Sequence, residues 1–522
     1  MTNLLLDIDF AAVDWARAQF ALTAIYHWLF VPLTLGLAVI MGVAETVYYR
    51  TGDGFWLSAA KFWQRLFGVN FAIGVATGII LEFQFGTNWS NYSWFVGDIF
   101  GAPLAVEGIV AFFMESTFVA VMFFGWNKVS RGFHLASTWL TGIGATISAW
   151  WILVANAWMQ YPVGCEFNPD TMRNEMASFA EVALSPMGVN KFLHAVTSSW
   201  IIGALFVMAV CCWYLLKKRH ERLAVTGIKM ASALGLAGSL LAMHSGDGSA
   251  YQVAQRQPMK LAAMEALYSG GESQDLTCIA MVPPFSQPDY ESEAEPPLKI
   301  AIPKALSLLA TRTMDGYVPG VKDILDGGYR QPDGTVALSV DQKMERGRRA
   351  IANLKEYRGM AAKGKGKADV VRMEQLKREL AEDMPYFGYG YVRDRAQVVP
   401  FIPVCFYSFR VMVGLGTLFL VFFIVMAVLA FRRDVSRHKW LLWSGIVLLP
   451  LGYIASEAGW IVAELGRQPW TIQDMLPTWV GVSGVGSGSV MLTFFIFLVL
   501  FTVLLAVEIN IMLKQIKKGP EL

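Results

Sequence analysis

The sequence has little charge. Asp, Glu, Lys and Arg make up 16% of its 522 residues, whereas 55% are hydrophobic. This composition argues against a soluble protein of this length, whose surface would need more charged residues. The net charge of +2 comes from basic residues at the edges of apolar segments, so no nucleic-acid partner is expected. The sequence therefore predicts an integral protein of a lipid bilayer.

Cysteine and histidine are scarce, with five and six residues. The cysteines form no CxxC or CxxCH motif, which argues against zinc clusters and covalently attached c-type haem. Cys165 and Cys278 fall in predicted external loops, where a disulfide could form. Because His134, His220 and His438 lie at predicted inner edges, too few histidines remain for the metal ligands of a haem-copper oxidase. We interpret His134 as a side chain that snorkels to the membrane surface.

A basic segment before an apolar core is also missing at the N-terminus, so no cleavable signal peptide is predicted. Long apolar segments are abundant, and each is close to the ~20 residues that span a bilayer. There are nine, at residues 20–44, 66–85, 102–125, 135–157, 192–216, 223–243, 402–431, 440–464 and 484–513. They predict an all-α membrane protein with nine transmembrane helices, because the ten-residue alternation of a membrane β-barrel is not seen.

Lysine and arginine concentrate in alternate connections, such as 217–222 and 432–439, whereas 86–101 has neither. The positive-inside rule then places the N-terminus in the periplasm and the C-terminus in the cytoplasm, as an odd number of helices requires.

The predicted organisation comprises helices 1 to 6 in residues 1–243, a long periplasmic loop in 244–400, and helices 7 to 9 with a cytoplasmic tail in 401–522. Within the loop, 282–298 is rich in Pro, Glu and Ser and predicts irregular chain. The pattern of 341–381 predicts charged helices around a KGKGK break.

Several apolar segments carry a side chain that could be ionised or bind a metal, and such groups are costly in a membrane. Those in the outer third of five segments are His27, Glu107, His194, Met412 and Glu464. A histidine with a methionine is a low-spin haem ligand pair, and a single strong ligand leaves an open iron position. Glu464 and Arg467 could equally form a local ion pair. On these residues alone, a secondary transporter with buried carboxylates is the alternative.

Other polar residues extend this pattern toward the inside. Glu115 follows Glu107 by eight residues and lies ~12 Å deeper in the same helix. Ser148 and Asn156 are either proton-path stations or interhelical hydrogen bonds. Arg410 needs an anion, and carboxylates of a cofactor would serve.

The segments LTAIYHWLFVPLTLG, EFQFGTNWSNYSWFVGDIFGAPLAVEG, WILVANAWMQ and GWIVAELGRQPW resemble subunit I of cytochrome bd ubiquinol oxidases, and the resemblance covers all nine apolar segments. It implies a respiratory oxidoreductase of the bacterial inner membrane that oxidises ubiquinol at the periplasmic side. Dioxygen would be reduced to water with cytoplasmic protons, without a proton pump. The implied cofactors are a low-spin haem b, a high-spin haem b and the chlorin haem d. The implied partner is a haem-free subunit II, with small single-helix subunits as further candidates.

The resemblance also implies residue roles at the haems. His194 and Met412 resemble the axial ligands of low-spin haem b, with Arg410 near its propionates. His27 and Glu464 resemble the axial ligands of the two high-spin haems, and which of them serves haem d stays open.

Further residues resemble the surroundings of these haems and the quinol site. Glu107, Trp460 and Arg467 resemble residues beside the high-spin pair, and Glu115 with Ser148 resembles the proton route. Lys260 and Glu265 resemble the quinol-binding pair of a long-loop member. The sequence GDGSAY at 246–251 departs from the family's GDESGY, which leaves the detail of the quinol pocket open.

Overall fold

The structure is a computed structural model that describes residues 9–292, 296–363, 367–432 and 435–521. Within these ranges, nine helices are long and apolar enough to cross a membrane, which confirms the predicted number. They are α1 Phe10–Thr51, α2 Gly54–Thr87, α3 Gly97–Phe124, α4 Arg131–Gln160, α5 Pro186–Leu216, α6 Glu221–Arg256, α7 Ile402–Phe431, α8 Lys439–Leu465 and α9 Ser487–Lys518.

Several helices begin and end beyond their apolar segments. The Asp9 side chain accepts a hydrogen bond from the Ala12 backbone at the start of α1, ten residues before the apolar segment begins. Ser130 caps α4 in the same way by accepting from Phe133. Helix α6 continues to Arg256, thirteen residues past the end of its apolar segment at 243, because His244 to Arg256 stay helical although they are polar.

Helix α5 lies at the centre of the bundle, where residues such as Leu205 and Cys211 are fully buried. It meets α1 at two glycines: a Cβ on Gly36 would lie 2.5 Å from the Cα of Gly203. Small residues at such a crossing let two helices approach closely. Helices α3 and α9 are peripheral, since only 11% of the apolar window of each is buried.

Helix α3 is irregular at its centre. Its first part, Gly97–Val106, is α-helical, Glu107–Phe112 forms a π-helical segment, and Phe113–Phe124 returns to α-helix. Single π-helical turns often occur at functional sites. No feature of the sequence predicted this one.

The chain outside the long helices contains short helices and three antiparallel two-stranded sheets. The strands are β1 Cys165–Asn168 with β2 Arg173–Met176, β3 Leu276–Ile279 with β4 Ile300–Ile302, and β5 Trp470–Ile472 with β6 Leu476–Pro477. The short α-helices are Ser90–Phe95, Phe179–Ala183, Pro258–Glu265, Ala305–Thr311, Val321–Asp326 and Thr478–Gly481, and the 3₁₀ turns are Met384–Tyr391, Arg395–Val398 and Val435–Arg437.

The charged helices predicted in the loop are confirmed as Val340–Lys363 and Lys367–Asp383. The centre of the predicted KGKGK break, 364–366, lies outside the described residues, as do 293–295 within the predicted irregular stretch.

Two predictions about single side chains are corrected. His134 does not snorkel to the surface, because its side chain is 2% exposed and both ring nitrogens have buried partners. Cys165 and Cys278 are free thiols, so the disulfide between their loops is not formed.

Candidate functional site

The carboxylate of Glu464, near the end of α8, has partners from two elements. Its Oε1 accepts hydrogen bonds from Asn156 Nδ2 at 3.0 Å and from Gln160 Nε2 at 3.2 Å, both on α4. Its Oε2 accepts a hydrogen bond from the guanidinium of Arg467. The local ion pair that the sequence left open is therefore formed. Arg467 is buried at 5% exposure and the Glu464 side chain is 34% exposed, so the pair is half-buried.

A second cation approaches the same carboxylate through Asn156. The ammonium of Lys191 on α5 donates to Asn156 Oδ1 at 2.9 Å. Sequence reasoning missed Lys191, because a lysine near the end of an apolar helix resembles an ordinary interfacial residue. The available signal was its position three residues before His194, which places both side chains on one helix face.

Both candidate histidine ligands are oriented through Nδ1. His194 Nδ1 lies 3.1 Å from the carbonyl oxygen of Ala242 and 3.1 Å from Ser245 Oγ, both on α6. His27 Nδ1 lies 3.0 Å from Thr77 Oγ1, whose own hydroxyl donates to a backbone carbonyl of α2. Donation of the Nδ1 proton to these acceptors leaves the Nε2 lone pair for a metal, as is usual for metal-binding histidines.

The surroundings of His27 reach α8 next to Glu464. Trp28, the following residue, donates its indole proton to Ser456 Oγ at 2.7 Å. Its ring meets the ring of Trp460 edge to face, with 5.0 Å between centroids. Trp460 lies one helical turn before Glu464, so the residue after His27 contacts α8 near Glu464, whereas His27 itself faces Thr77 and Gly78 of α2.

Met412 and Arg410, on α7, face different partners. A Cβ on Gly459 would lie 2.9 Å from the Met412 sulfur, so the Met412 side chain packs directly against α8 at this glycine. Arg410 donates to Glu265 Oε2 at 2.7 Å and to the carbonyl oxygen of Thr277 at 2.6 Å. Arg410, which we predicted near a cofactor, is thus bonded to the loop carboxylate of Glu265. The Nε atom of Arg410 is buried without a hydrogen bond.

Glu107 and Glu115 form a separate group between α3 and α4. Ser148 donates to Glu107 Oε1 at 2.6 Å, whereas the sequence grouped Ser148 with Glu115. Glu115 is 7% exposed and lies against Gly144, where a Cβ would be 2.8 Å from Glu115 Cγ. The π-helical segment begins at Glu107 and changes the helix face that the following residues present.

Lys260 and Glu265 lie on the short helix Pro258–Glu265, and each is 4% exposed. They have different partners. Lys260 Nζ donates to Gln160 Oε1 at 2.5 Å, to Gln257 Oε1 at 2.9 Å and to the carbonyl oxygen of Ala463 at 2.9 Å.

Burial shifts the pKa of both residues. It lowers the pKa of Lys260 well below its usual range, and the nearby Lys191 adds to this effect. It raises the pKa of Glu265, against the opposing effect of Arg410. Each group is therefore easier to convert to its uncharged form than it would be in water.

The family model described as cytochrome bd terminal oxidase subunit I matches residues 15–520. The chain belongs to this family. Cytochrome bd-II ubiquinol oxidase subunit 1 of Escherichia coli (strain K12) is 42% identical over 511 residues, which are 97% of each chain. Cytochrome bd ubiquinol oxidase subunit 1 of Bacillus subtilis (strain 168) is 34% identical, over 97% of this chain and 94% of the relative.

A solved structure shares the fold of this cytochrome bd subunit. The bd oxidase from Geobacillus thermodenitrificans matches with a TM-score of 0.77 at 22% identity, over 98% of this chain and 100% of that chain. Membership confirms the predicted terminal oxidase, an oxidoreductase of the bacterial inner membrane, and removes the transporter alternative.

Cytochromes carry haem, and the residues of this site fit that group. Among the described residues, no three His, Cys, Asp or Glu side chains converge as a metal site. A haem supplies four ring nitrogens to its iron, so one or two side chains suffice as axial ligands. His194 and His27 each keep Nε2 for such a bond. The buried Nε atoms of Arg410 and Arg467 lack hydrogen-bond acceptors, which haem propionates could provide.

Proposed function

We propose that this chain oxidises ubiquinol at its long loop and reduces dioxygen to water within its helix bundle. The observation that carries the proposal is a short hydrogen-bonded path between the two candidate sites. Lys260 of the loop donates to Gln160 at 2.5 Å, and Gln160 donates to Glu464 at 3.2 Å. A single glutamine thus separates a candidate quinol-binding residue from a candidate haem ligand.

The proposed quinol site lies beside Glu265. A cavity of about 110 Å³ there is lined by residues that include Tyr268, Asp275 and Lys299. Two-electron oxidation of quinol releases two protons, which need nearby bases. The pKa of Glu265 is raised, which suits a carboxylate that accepts a proton near neutral pH. The pKa of Lys260 is lowered, which suits an amine that loses its own proton and can then act as a base.

The haems proposed for the bundle are a low-spin haem b, a high-spin haem b and haem d, and when bound they supply the electron transfer and the iron that reacts with dioxygen. His194 and Met412 would hold the low-spin haem, with Arg410 near its propionates. His27 and Glu464 would each hold one of the two high-spin haems, and either of them could be the ligand of haem d. Arg467 binds the Glu464 carboxylate and orients it, and Trp460 fills the space toward α1.

Protons for water formation would come from the cytoplasmic side. The proposed topology has a periplasmic N-terminus, a cytoplasmic C-terminus and the loop 244–400 in the periplasm, between helix groups 1–243 and 401–522. Glu115 and then Glu107 with Ser148 would hold and pass these protons. Release outside and uptake inside separate charge without a pump, so about one proton per electron should cross. A clearly larger ratio would contradict this.

The peripheral helices α3 and α9 suit contact with a haem-free subunit II, because both leave most of their apolar surface uncovered. Small single-helix subunits are further candidates. The departing residues, Gly248 and Ala250, lie on α6 beside Asp247, which accepts two hydrogen bonds of 2.8 Å from Arg312 of the loop.

The test is a reduced-minus-oxidised visible spectrum of the oxidase expressed with its partner subunit. We expect b-type bands and a long-wavelength chlorin band. His194→Ala should remove only the low-spin b band, and His27→Ala should disturb the high-spin bands. His220→Ala, at the opposite end of the bundle, is the matched control and should leave all bands unchanged. A colourless protein, or unaltered bands in both ligand variants, would overturn the proposal.

A further inference from the structure

The opposite end of the bundle contains a buried titratable pair that the roles above do not use. Glu45 of α1 and His134 of α4 are each 2% exposed, and His134 Nδ1 lies 2.6 Å from Glu45 Oε1. Glu45 Oε2 accepts from Thr138 Oγ1 at 2.6 Å and from Gln64 Nε2 at 3.1 Å. His134 Nε2 lies 3.0 Å from the carbonyl oxygen of Met122.

These contacts require a proton within the pair. The carbonyl oxygen of Met122 can only accept, so His134 Nε2 carries a hydrogen. Without a proton between His134 Nδ1 and Glu45 Oε1, a nitrogen lone pair would face a carboxylate oxygen at 2.6 Å. The pair therefore holds one shared proton, and Glu45 Oε2 can bind another when the Thr138 hydroxyl, which now donates to it, turns to accept instead.

A buried row on α4 leads from this pair toward the carboxylates of α3. His134, Thr138, Thr141 and Ser148 lie within an arc of about 80° on the helix, and the row rises about 21 Å along the axis. The first three are at most 2% exposed. The row ends at Ser148, which donates to Glu107. Beside it, Gly144 leaves room for Glu115.

Only one aromatic layer separates the pair from the basic end of the bundle. The ring of Trp126, which is half-buried, lies on His134 with 3.9 Å between centroids. The charged and titratable groups around this cover are Lys61 of α2, 5.1 Å above the Trp126 ring, and Arg131 of α4, 5.5 Å from the ring of Tyr48. The positive-inside rule assigns this basic end to the cytoplasm.

We propose that Glu45 and His134 take up cytoplasmic protons and deliver them along the α4 row to Glu115 and Glu107. The inference rests on the proposed function, which needs such protons. A proton from water binds Glu45 and leaves an imidazolium beside a neutral carboxylic acid. A proton then leaves through the hydroxyl of Thr138, and the pair returns to its starting state. Only O–H and N–H bonds change, and no electron moves.

The test compares Glu45→Gln with Asn70→Leu in the oxidase purified with its partner subunit. Asn70 is the control, because its buried amide on α2 binds Phe30 and Thr34 of α1, the helix that carries Glu45, but has no titratable proton. The reduced enzyme is mixed with dioxygen, and a pH-indicating dye follows proton uptake. In Glu45→Gln we expect normal haem bands and oxygen binding, with proton uptake slowed at least about tenfold and a larger solvent deuterium effect. Asn70→Leu should keep the wild-type uptake rate.

Uptake at the wild-type rate in Glu45→Gln would overturn the inference while leaving the oxidase intact. Absent haem bands in the unmodified enzyme would instead overturn the proposed function. If Glu45→Gln does not assemble, Thr138→Val removes the next hydroxyl and keeps the pair. It should slow uptake in the same way, and unchanged uptake there would equally overturn the inference.

Discussion

Glu464 and Glu115 are both carboxylates on membrane helices, and their surroundings differ in kind. Glu464 accepts hydrogen bonds from Arg467, Asn156 and Gln160, and Asn156 is in turn bonded to the ammonium of Lys191. Glu115 lies against Gly144, and within the described chain no hydrogen bond ends on its carboxylate.

The difference indicates two uses of the same functional group. A carboxylate held by a guanidinium and two amides keeps its negative charge and its position, which suits a residue that must hold a cofactor. A carboxylate among apolar atoms is more stable when it carries a proton, and it can release that proton when the surrounding charge changes. Glu464 lies near the loop through Gln160 and Lys260, and Glu115 lies farther from it, beside Gly144 of α4.

The strongest test of this contrast removes the fixed charge. Glu464→Gln should lose one high-spin haem and lower turnover at least about 100-fold, because Arg467 and Lys191 would face an uncharged amide. Haem content and oxygen consumption measure the effect. Glu457→Gln is the control on the same helix, since Glu457 Oε1 is buried without a partner and its amide replacement disturbs no ion pair. Full haem content in Glu464→Gln would show that the charge does not hold the cofactor.

The path from loop to bundle is tested at Lys260. Lys260→Met removes three hydrogen bonds and leaves Gln257 Oε1 without a donor, whereas Gln160 Oε1 and the Ala463 carbonyl oxygen keep one each, so kcat/KM for quinol should fall about 10-fold to 100-fold while the haem spectrum stays unchanged. Lys377→Met is the control, because that loop lysine makes an exposed 3.9 Å pair with Asp170 and lies 5.7 Å from the Tyr357 ring, away from Lys260 and Glu265 in the chain. Loss of haem with unchanged quinol kinetics in the remaining enzyme would assign Lys260 to the haem site instead.

The proton dependence of the loop can be examined at Glu265. Its pKa is raised by burial, so activity should increase as pH rises through this raised value and the carboxylate becomes the base for quinol. Glu265→Gln should flatten that part of the pH profile and lower turnover about tenfold. An unchanged profile in the variant would mean that another group accepts the proton.

Part of this arrangement could be predicted from the sequence. The nine helices follow from apolar length, and the Glu464 and Arg467 pair follows from a spacing of three residues on one helix. Both depend on local sequence only.

The cross-helix contacts could not be predicted in this way. Gln160 and Lys191 approach Glu464 because α4, α5 and α8 pack in one particular register, which a single sequence does not reveal. The π-helical segment at Glu107 has no sequence signal, and it decides which face Glu107 presents to Ser148. His134 was misjudged for the same reason, since its partner Glu45 is 89 residues away in the chain.

The position of Glu115 is tested by filling the space beside it at Gly144. Gly144→Ala places a Cβ 2.8 Å from Glu115 Cγ and 3.3 Å from Met114 Cε, so Glu115 must move. We expect turnover to fall several-fold and stability to fall by about 1–3 kcal/mol. Gly132→Ala on the same helix is the control, because its nearest neighbour, Tyr49, would lie at an ordinary 3.7 Å. Equal turnover in the two variants would argue that the position of Glu115 does not matter.

A carboxylate outside the membrane completes the comparison. Asp383 is 1% exposed and accepts hydrogen bonds from Arg346 at 2.7 Å and Arg349 at 2.5 Å. Burial raises its pKa, but the two arginines outweigh this and hold it below the ordinary 3.8. The ion pairs of Asp383 with the two arginines therefore stabilise the loop fully at pH values above 3.8, and this stabilisation is lost as pH falls through the lower folded pKa.

Asp383→Asn should lower the free energy of unfolding by about 2 kcal/mol near neutral pH, measured by thermal unfolding, with unchanged turnover. The exposed pair of Glu356 and Arg372 is the control, since Glu356→Gln should leave the unfolding temperature nearly unchanged. We expect no effect on turnover, because Asp383 lies far along the chain from Lys260 and Glu265. Reduced turnover in Asp383→Asn would show that this charge also contributes to the chemistry.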